Sequence, residues 1–330
     1  MKYIIYILFF FPLWVTAQTY KYIGTEDGLS NRRIFSIQKD DQGYMWFLTD
    51  EGMDRYNGKD IKHYKLNKDD STLEAPIHLG WIYTRPHIGT WVIGKQGRIF
   101  QYELKYDDFK MVYKLPNSLE TISYGYMDNN DNIWLCHKHS ILLYNAGDAR
   151  IVQFPNILHS NITAITQVDE HHFFIATETG IRYAKLENGE LEIIPVETLD
   201  YFHAQVNELY YHQALKRLFI GSFERGMFVY DMNSREILKP EADLSDVNIT
   251  CIFPLDESQL LISTEGMGVY KIDINTCKLE HYIVANYHSY NEMNGNNIND
   301  IFVDEDKRIW LANYPTGITI KITDMKITIG

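Results

Sequence analysis

The chain has 330 residues, 45% of them hydrophobic and 23% charged, which excludes disordered, collagen-like and coiled-coil classes and supplies a sizeable core. Its 31 Lys and Arg against 44 Asp and Glu give a formal charge of -13, which repels phosphate backbones and anionic lipid surfaces and argues against nucleic acid as a partner. Aromatic residues make up 14% of the chain and fill pleated sheets better than helices, so the composition leans toward β structure.

In chain order, Lys2 comes first, then an apolar run from Tyr3 to Val15, then the small residues of Val15-Thr16-Ala17. This pattern predicts a secretory signal over residues 1–17 and a mature chain starting near Gln18. The run is shorter than the ~20 residues that span a bilayer, and Pro12 interrupts it, so an uncleaved anchor is disfavoured. No later segment is long and apolar enough to cross a membrane, and the mature chain is expected outside the cytoplasm.

From Ile34 onward one phrase recurs: a β-branched strand, a polar turn, a strand with a large apolar centre, a glycine-containing turn and a strand ending in tyrosine. The first copy reads Ile34-Phe35-Ser36-Ile37, Asp40-Asp41-Gln42-Gly43, Tyr44-Met45-Trp46-Phe47-Leu48-Thr49 and Gly52-Met53-Asp54-Arg55-Tyr56. The anchors of seven copies are Trp46, Trp91, Trp134, Phe174, Phe219, Leu261 and Trp310, spaced by 40 to 49 residues. That period matches the ~40 to 45 residues of a four-stranded propeller blade. The closing tyrosine is expected at Tyr56, Tyr102, Tyr144, Tyr183, Tyr230 and Tyr270, with Ile320 as its substitute in the last copy.

A less regular fourth strand, such as Ile61 to Leu66, completes each copy, and no stretch carries the 3.6-residue apolar spacing of a helical repeat. The prediction is an all-β fold: a seven-bladed β-propeller of four-stranded antiparallel blades over residues 18–322. A single blade cannot bury both of its faces, so blades must stack, and the anchors become the filling between them. The segment Tyr20 to Ile23 is predicted to supply the outer strand of the seventh blade and lock the ring with its two ends. Residues 323–330 read as the start of a connection. Cys136, Cys251 and Cys277 are odd in number and lack CxxC spacing, so they are read as buried core thiols.

Asp27-Gly28-Leu29-Ser30-Asn31, Asp41-Gln42-Gly43-Tyr44-Met45-Trp46-Phe47 and Thr49-Asp50-Glu51-Gly52-Met53-Asp54-Arg55-Tyr56-Asn57-Gly58 together resemble the two-component regulator propeller repeat. Later copies keep parts of it, such as Asn132-Ile133-Trp134-Leu135 and Arg308-Ile309-Trp310-Leu311-Ala312, and lose the tryptophan in the fourth, fifth and sixth. The resemblance implies the periplasmic sensor region of a Bacteroidetes-type hybrid two-component system. Such receptors are membrane-anchored histidine kinases that pair as homodimers, sense glycan fragments and control polysaccharide-use genes. Their second propeller, β-sandwich, membrane helix and kinase core have no motif in these residues, so no catalysis, cofactor or metal is expected of this segment. Asp41-x-Gly43-x-x-Trp46, which is also similar to the Asp-box hairpin of sialidases, is read as turn chemistry.

In a blade of up-and-down strands, the turns from second to third strand and the loops leading into each blade emerge at one end of the ring. That end is the expected ligand face. On the turns it presents Asp50, Lys95, His137, His139, Glu178, Arg225, Glu265 and Tyr314, and on a lead-in loop Trp81. Carboxylates, basic groups and imidazoles suit sugar hydroxyls, and aromatic rings suit sugar faces, so an oligosaccharide is the expected partner. Two alternatives stay open: a free periplasmic lyase or hydrolase using Glu178 and Glu265 as a carboxylate pair, and a scaffold that binds nothing and only pairs subunits. The His171-His172 pair falls in a turn at the opposite end and is not expected to hold a metal.

Overall fold

Middle strands such as Met45–Thr49 and Asn132–Cys136 are nearly continuous apolar runs, whereas outer strands such as Ile151–Pro155 are mostly exposed. A strand covered on both faces needs apolar residues at every position, not alternate ones. The computed structural model describes residues 19–66, 79–116, 121–240, 244–285, 293 and 295–322; the expected signal over 1–17 and the tail 323–330 lie outside them. It forms seven four-stranded antiparallel sheets, with blades I to VI at residues 34–64, 79–114, 124–155, 162–194, 206–238 and 249–283. Blade VII combines three strands of residues 297–322 with Thr19–Ile23, which pairs with Gly317–Ile322 as its outer strand. The predicted closure by the N-terminal strand is therefore present. Helix is confined to two short pieces among the described residues, Thr25–Asp27 and Glu197–Asp200.

The seven anchors all face the following blade. Trp46 packs with Ile82 and Val92, Trp134 with Phe173 and Ile175, Phe219 with Leu260 and Ile262, and Trp310 with Met45 and Phe47 across the closing seam. A buried indole N–H needs an acceptor, and the turn between first and second strands supplies it. Asp40, Asp128 and Asp304 accept from the indoles of Trp46, Trp134 and Trp310 at 2.7, 2.9 and 2.8 Å. Asp40 also accepts from the backbone N–H of Gln42 and Tyr44, while Asp41 is exposed. The turn chemistry read at Asp41 thus belongs to its neighbour.

The closing tyrosines need a second correction. Tyr56, Tyr144 and Tyr230 pair with Met45, Ile133 and Leu218, each one residue before an anchor, so they face the preceding blade. There they meet Trp310, Trp91 and Phe174 at 6.1, 6.1 and 6.3 Å between ring centroids, and Tyr102 meets Trp46 at 4.9 Å. Tyr183 instead pairs with the anchor Phe174 itself, and the residue in the tyrosine position of blade IV is Ala184, opposite Phe173. Ile320 is displaced in the same way, opposite Trp310. Because side chains alternate along a strand, one residue of register moves a ring to the other face.

The innermost strands carry bulges at corresponding places, at Val206/Glu208, Ile249/Cys251 and Ile298/Ile301 among others. The extra residue is freed from the ladder, and it reaches the next blade. Asn207 and Asn299 donate to the carbonyls of Ile249 and Ile34 at 3.2 and 2.8 Å, and Thr250 donates to that of Ile298. Cys136, Cys251 and Cys277 are buried free thiols, as read from their number and spacing.

Candidate ligand-binding face

The turns between second and third strands are built alike. Thr49, Thr177, Ser222 and Thr264 end second strands and donate across the turn to the carbonyls of Gly52, Gly180, Gly226 and Gly268 at 2.7 to 3.1 Å. Gly52 is required, because its φ of 138° is left-handed territory and a Cβ there would lie 2.4 Å from the Tyr64 carbonyl oxygen. These turns share one end of the ring with the lead-in loops, as the pairing of Ile34 with Thr49 and Ile249 with Thr264 requires.

Asp50, Lys95, Glu178, Arg225 and Glu265 are exposed at this end. The structure joins three of them to lead-in loops: Asn161 donates to Glu178 at 3.0 Å, Asn248 to Glu265 at 2.7 Å, and Arg225 to the His203 carbonyl at 2.6 Å. Glu178 and Glu265 belong to blades IV and VI with blade V between them, and each carboxylate is held by its own asparagine. Asn156 clamps the His137–His139 turn by donating to both residues' carbonyls, and the two rings lie 5.8 Å apart. The His139 N–H donates to His137 Nδ1 at 3.3 Å, which calls for an unprotonated nitrogen there. Tyr314 is 45% exposed.

Trp81 does not stand on a lead-in loop. It lies within the inner strand Leu79–Arg85, paired with Ile93, and its ring packs edge-on against Tyr124 at 5.4 Å. Sequence reasoning missed Tyr201, Phe223 and Met267, which are exposed at the same end of blades IV to VI. The available signal was an apolar residue stranded in a polar turn, as in Ser222-Phe223-Glu224-Arg225. Phe223 shares its turn with Arg225 and Met267 shares its turn with Glu265, and Tyr314 adds an exposed ring at the same end of blade VII.

The inner strands bring a second set of polar groups toward the axis. Glu208 of blade V acts electrostatically on Tyr83, Tyr124 and Tyr126 of blades II and III, and it feels Asp300 of blade VII. Burial, and after it the charge of Asp300, push the Glu208 carboxyl up to about 8. Burial also raises the Asp300 carboxyl, although it accepts the Ile37 N–H at 2.7 Å across the closing seam. Among the described residues, no group of three His, Cys, Asp or Glu side chains is placed to hold a metal ion.

The Glu208 environment gives a pH-dependent prediction. An unfolded glutamate ionises near pH 4.3, while the folded one keeps its proton until about 8. Between those values the folded chain binds more protons than the unfolded chain, so stability falls as pH rises through the window. E208Q has no proton to hold, so its stability relative to wild type should grow from about pH 4.3 to 8 and then level off. Urea midpoints of both proteins across this range check it, and a difference independent of pH would contradict it.

Residues 28–51 and 292–314, in and just before blades I and VII, match the family described as two component regulator propeller. Two solved structures from B. thetaiotaomicron, described as extracellular domains of hybrid two component systems, share the fold. They align over 92% of this chain with TM-scores of 0.73 and 0.71, at 20% and 19% identity. The chain spans 42% and 39% of the length of those domains. Virginiamycin B lyase from Staphylococcus aureus has the same fold at a TM-score of 0.69 and 14% identity, over 94% of this chain and 100% of its own. No curated protein is significantly matched by the sequence. No helix among the described residues is long and apolar enough to cross a membrane.

Proposed function

We propose that this two-component regulator propeller is the ligand-sensing, extracytoplasmic segment of a hybrid two-component sensor kinase, and that its ligand is a glycan fragment. The observation that carries the reading is the family match in the first and last blades of a ring whose fold follows, almost throughout, the extracellular domains of such systems. The exposure of Tyr201, Phe223, Met267 and Tyr314 at the same end of the ring as Glu178, Arg225 and Glu265 supports the ligand class. Apolar groups can lie against sugar faces, and the polar ones can pair with hydroxyls. The segment carries no chemistry in this reading: ligand binding favours one arrangement of two receptor chains in the periplasm over another.

The test has two parts. Antibody against the propeller should detect a membrane-fractionating band several times the mass of this chain, and a soluble band at the chain's own mass would overturn the receptor assignment. The secreted chain should bind oligosaccharides without releasing reducing ends, and Arg225→Ala with Tyr314→Ala should weaken binding about tenfold, as the loss of a charged hydrogen bond and a stacking ring predicts. Release of reducing ends that E178Q with E265Q abolishes would establish the enzyme reading instead.

A further inference from the structure

The seam between blades III and IV lacks the tyrosine ring that blades I, II, III and V turn toward the blade before them. At the seam of blades VII and I the Tyr56 hydroxyl runs outward to donate to the Gly58 carbonyl at 2.5 Å. At the seam of blades I and II the Tyr102 hydroxyl donates to Asp107 at 2.7 Å. Both acceptors lie in turns joining third and outer strands. The equivalent turn of blade IV is Asn188-Gly189, and the side chain that would reach it stops at the methyl of Ala184. A cleft of about 570 Å³ opens at this seam, at the end of the ring opposite the expected ligand face; it is lined by Phe173, the strand partner of Ala184, and by Leu186 two residues on, while Ala184 itself is fully buried.

Its dimensions fall within the ~300 to 1,000 Å³ typical of small-molecule sites. The floor is apolar, with Leu143 and Val152 from blade III meeting Leu186 from blade IV. Around the mouth stand Arg150, Glu170, His171 and Glu187, and the Glu187 carboxylate is already paired with Lys185 at 2.7 Å. Gly189, at φ 80°, permits the turn to close against Val152, since a Cβ there would lie 2.9 Å from a Val152 methyl. Asn130 ties the two blades at the rim by donating to the Glu170 carbonyl at 3.1 Å. An anion would meet the carboxylates at the mouth, and a purely apolar ligand would strand the polar rim. Both arguments select a neutral ligand with several hydroxyls.

We propose that the cleft between blades III and IV, at the seam where alanine takes the tyrosine position of blade IV, is a binding site for a neutral polyhydroxylated ligand of one or two pyranose rings. The site is separate from the face assigned above, and it needs no second chain.

The test is Ala184→Tyr, which restores the ring carried by blades I, II, III and V. Cellobiose, maltose, xylobiose and mannobiose are titrated calorimetrically into the full chain, the A184Y variant, the exposed-site variant Arg150→Ala, and E178Q with E265Q. At least one disaccharide should bind wild type. A184Y should abolish that binding, and R150A should weaken it about tenfold, in keeping with one lost charge-assisted hydrogen bond. The E178Q and E265Q substitutions should leave it unchanged. Absence of binding by all four sugars, or unchanged affinity in R150A together with a folded A184Y, would overturn the proposal. Loss of binding only on substitution of Glu178 and Glu265 would overturn it too, while supporting the opposite face as the sensing site.

Discussion

Asp128→Ala should destabilise the propeller by roughly 3–5 kcal/mol, because it removes one carboxylate that satisfies several donors at once in a closed turn. Asp128 is fully buried. One of its oxygens accepts the backbone N–H groups of Asn130 and Asn132, each at 2.9 Å, and the other accepts the Trp134 indole at 2.9 Å and the Asn132 amide at 3.0 Å. Truncation leaves the indole buried without an acceptor, and the turn at the start of the second strand loses its template. Asp41→Ala is the internal control: Asp41 is exposed beside the equivalent turn, so its loss should fall within about 0.5 kcal/mol of wild type. Urea unfolding of both variants measures the contrast. Equal effects would refute the assignment of turn chemistry to the first of the two aspartates.

Ile23→Asp should open the ring. Ile23 is 2% exposed, pairs with Ile318, and packs with Leu29, Ile34 and Ile320 where the first and last blades meet. An unpaired carboxylate there costs more than about 4 kcal/mol, beyond what the single outer strand can absorb. Lys21 on the same strand donates to the Tyr56 hydroxyl of blade I at 2.8 Å, so its detachment also loosens the neighbouring blade. The released edge at Gly317–Ile322 is long and largely apolar, which invites pairing between molecules. Size-exclusion chromatography in mild urea should show soluble oligomers and a lowered unfolding midpoint. A monomer of wild-type stability would mean that the ring closes without this strand.

Much of the architecture was legible in the chain, because a propeller repeats one local pattern. Strands buried on both faces must be apolar throughout, turns must be polar or glycine-bearing, and a period of 40 to 49 residues gives the number of blades by division. The unclaimed strand Tyr20 to Ile23 was likewise a local signal that found the only role a closed ring leaves it. The end of the ring carrying each turn followed from strand alternation alone.

Register and facing were decided only by tertiary structure. Tyr183 looks in sequence like the closing tyrosine of its blade, yet the pairing of Phe173 with Ala184 turns it to the other side and leaves the seam of blades III and IV unfilled. Trp81 has the composition of a loop platform, but a bulge at Leu79/Trp81 keeps it within the inner strand against Tyr124. Glu178 and Glu265 have the chemistry of a catalytic pair, and the ring sets a blade between them and gives each an asparagine. The convergence of Glu208 and Asp300 toward the axis joins residues 92 positions apart and carries no signature in either local segment. The sequence by itself determined what each segment is, since strand and turn formation depend on near neighbours. What each side chain meets depends on closure of the ring, which couples positions that no local pattern links.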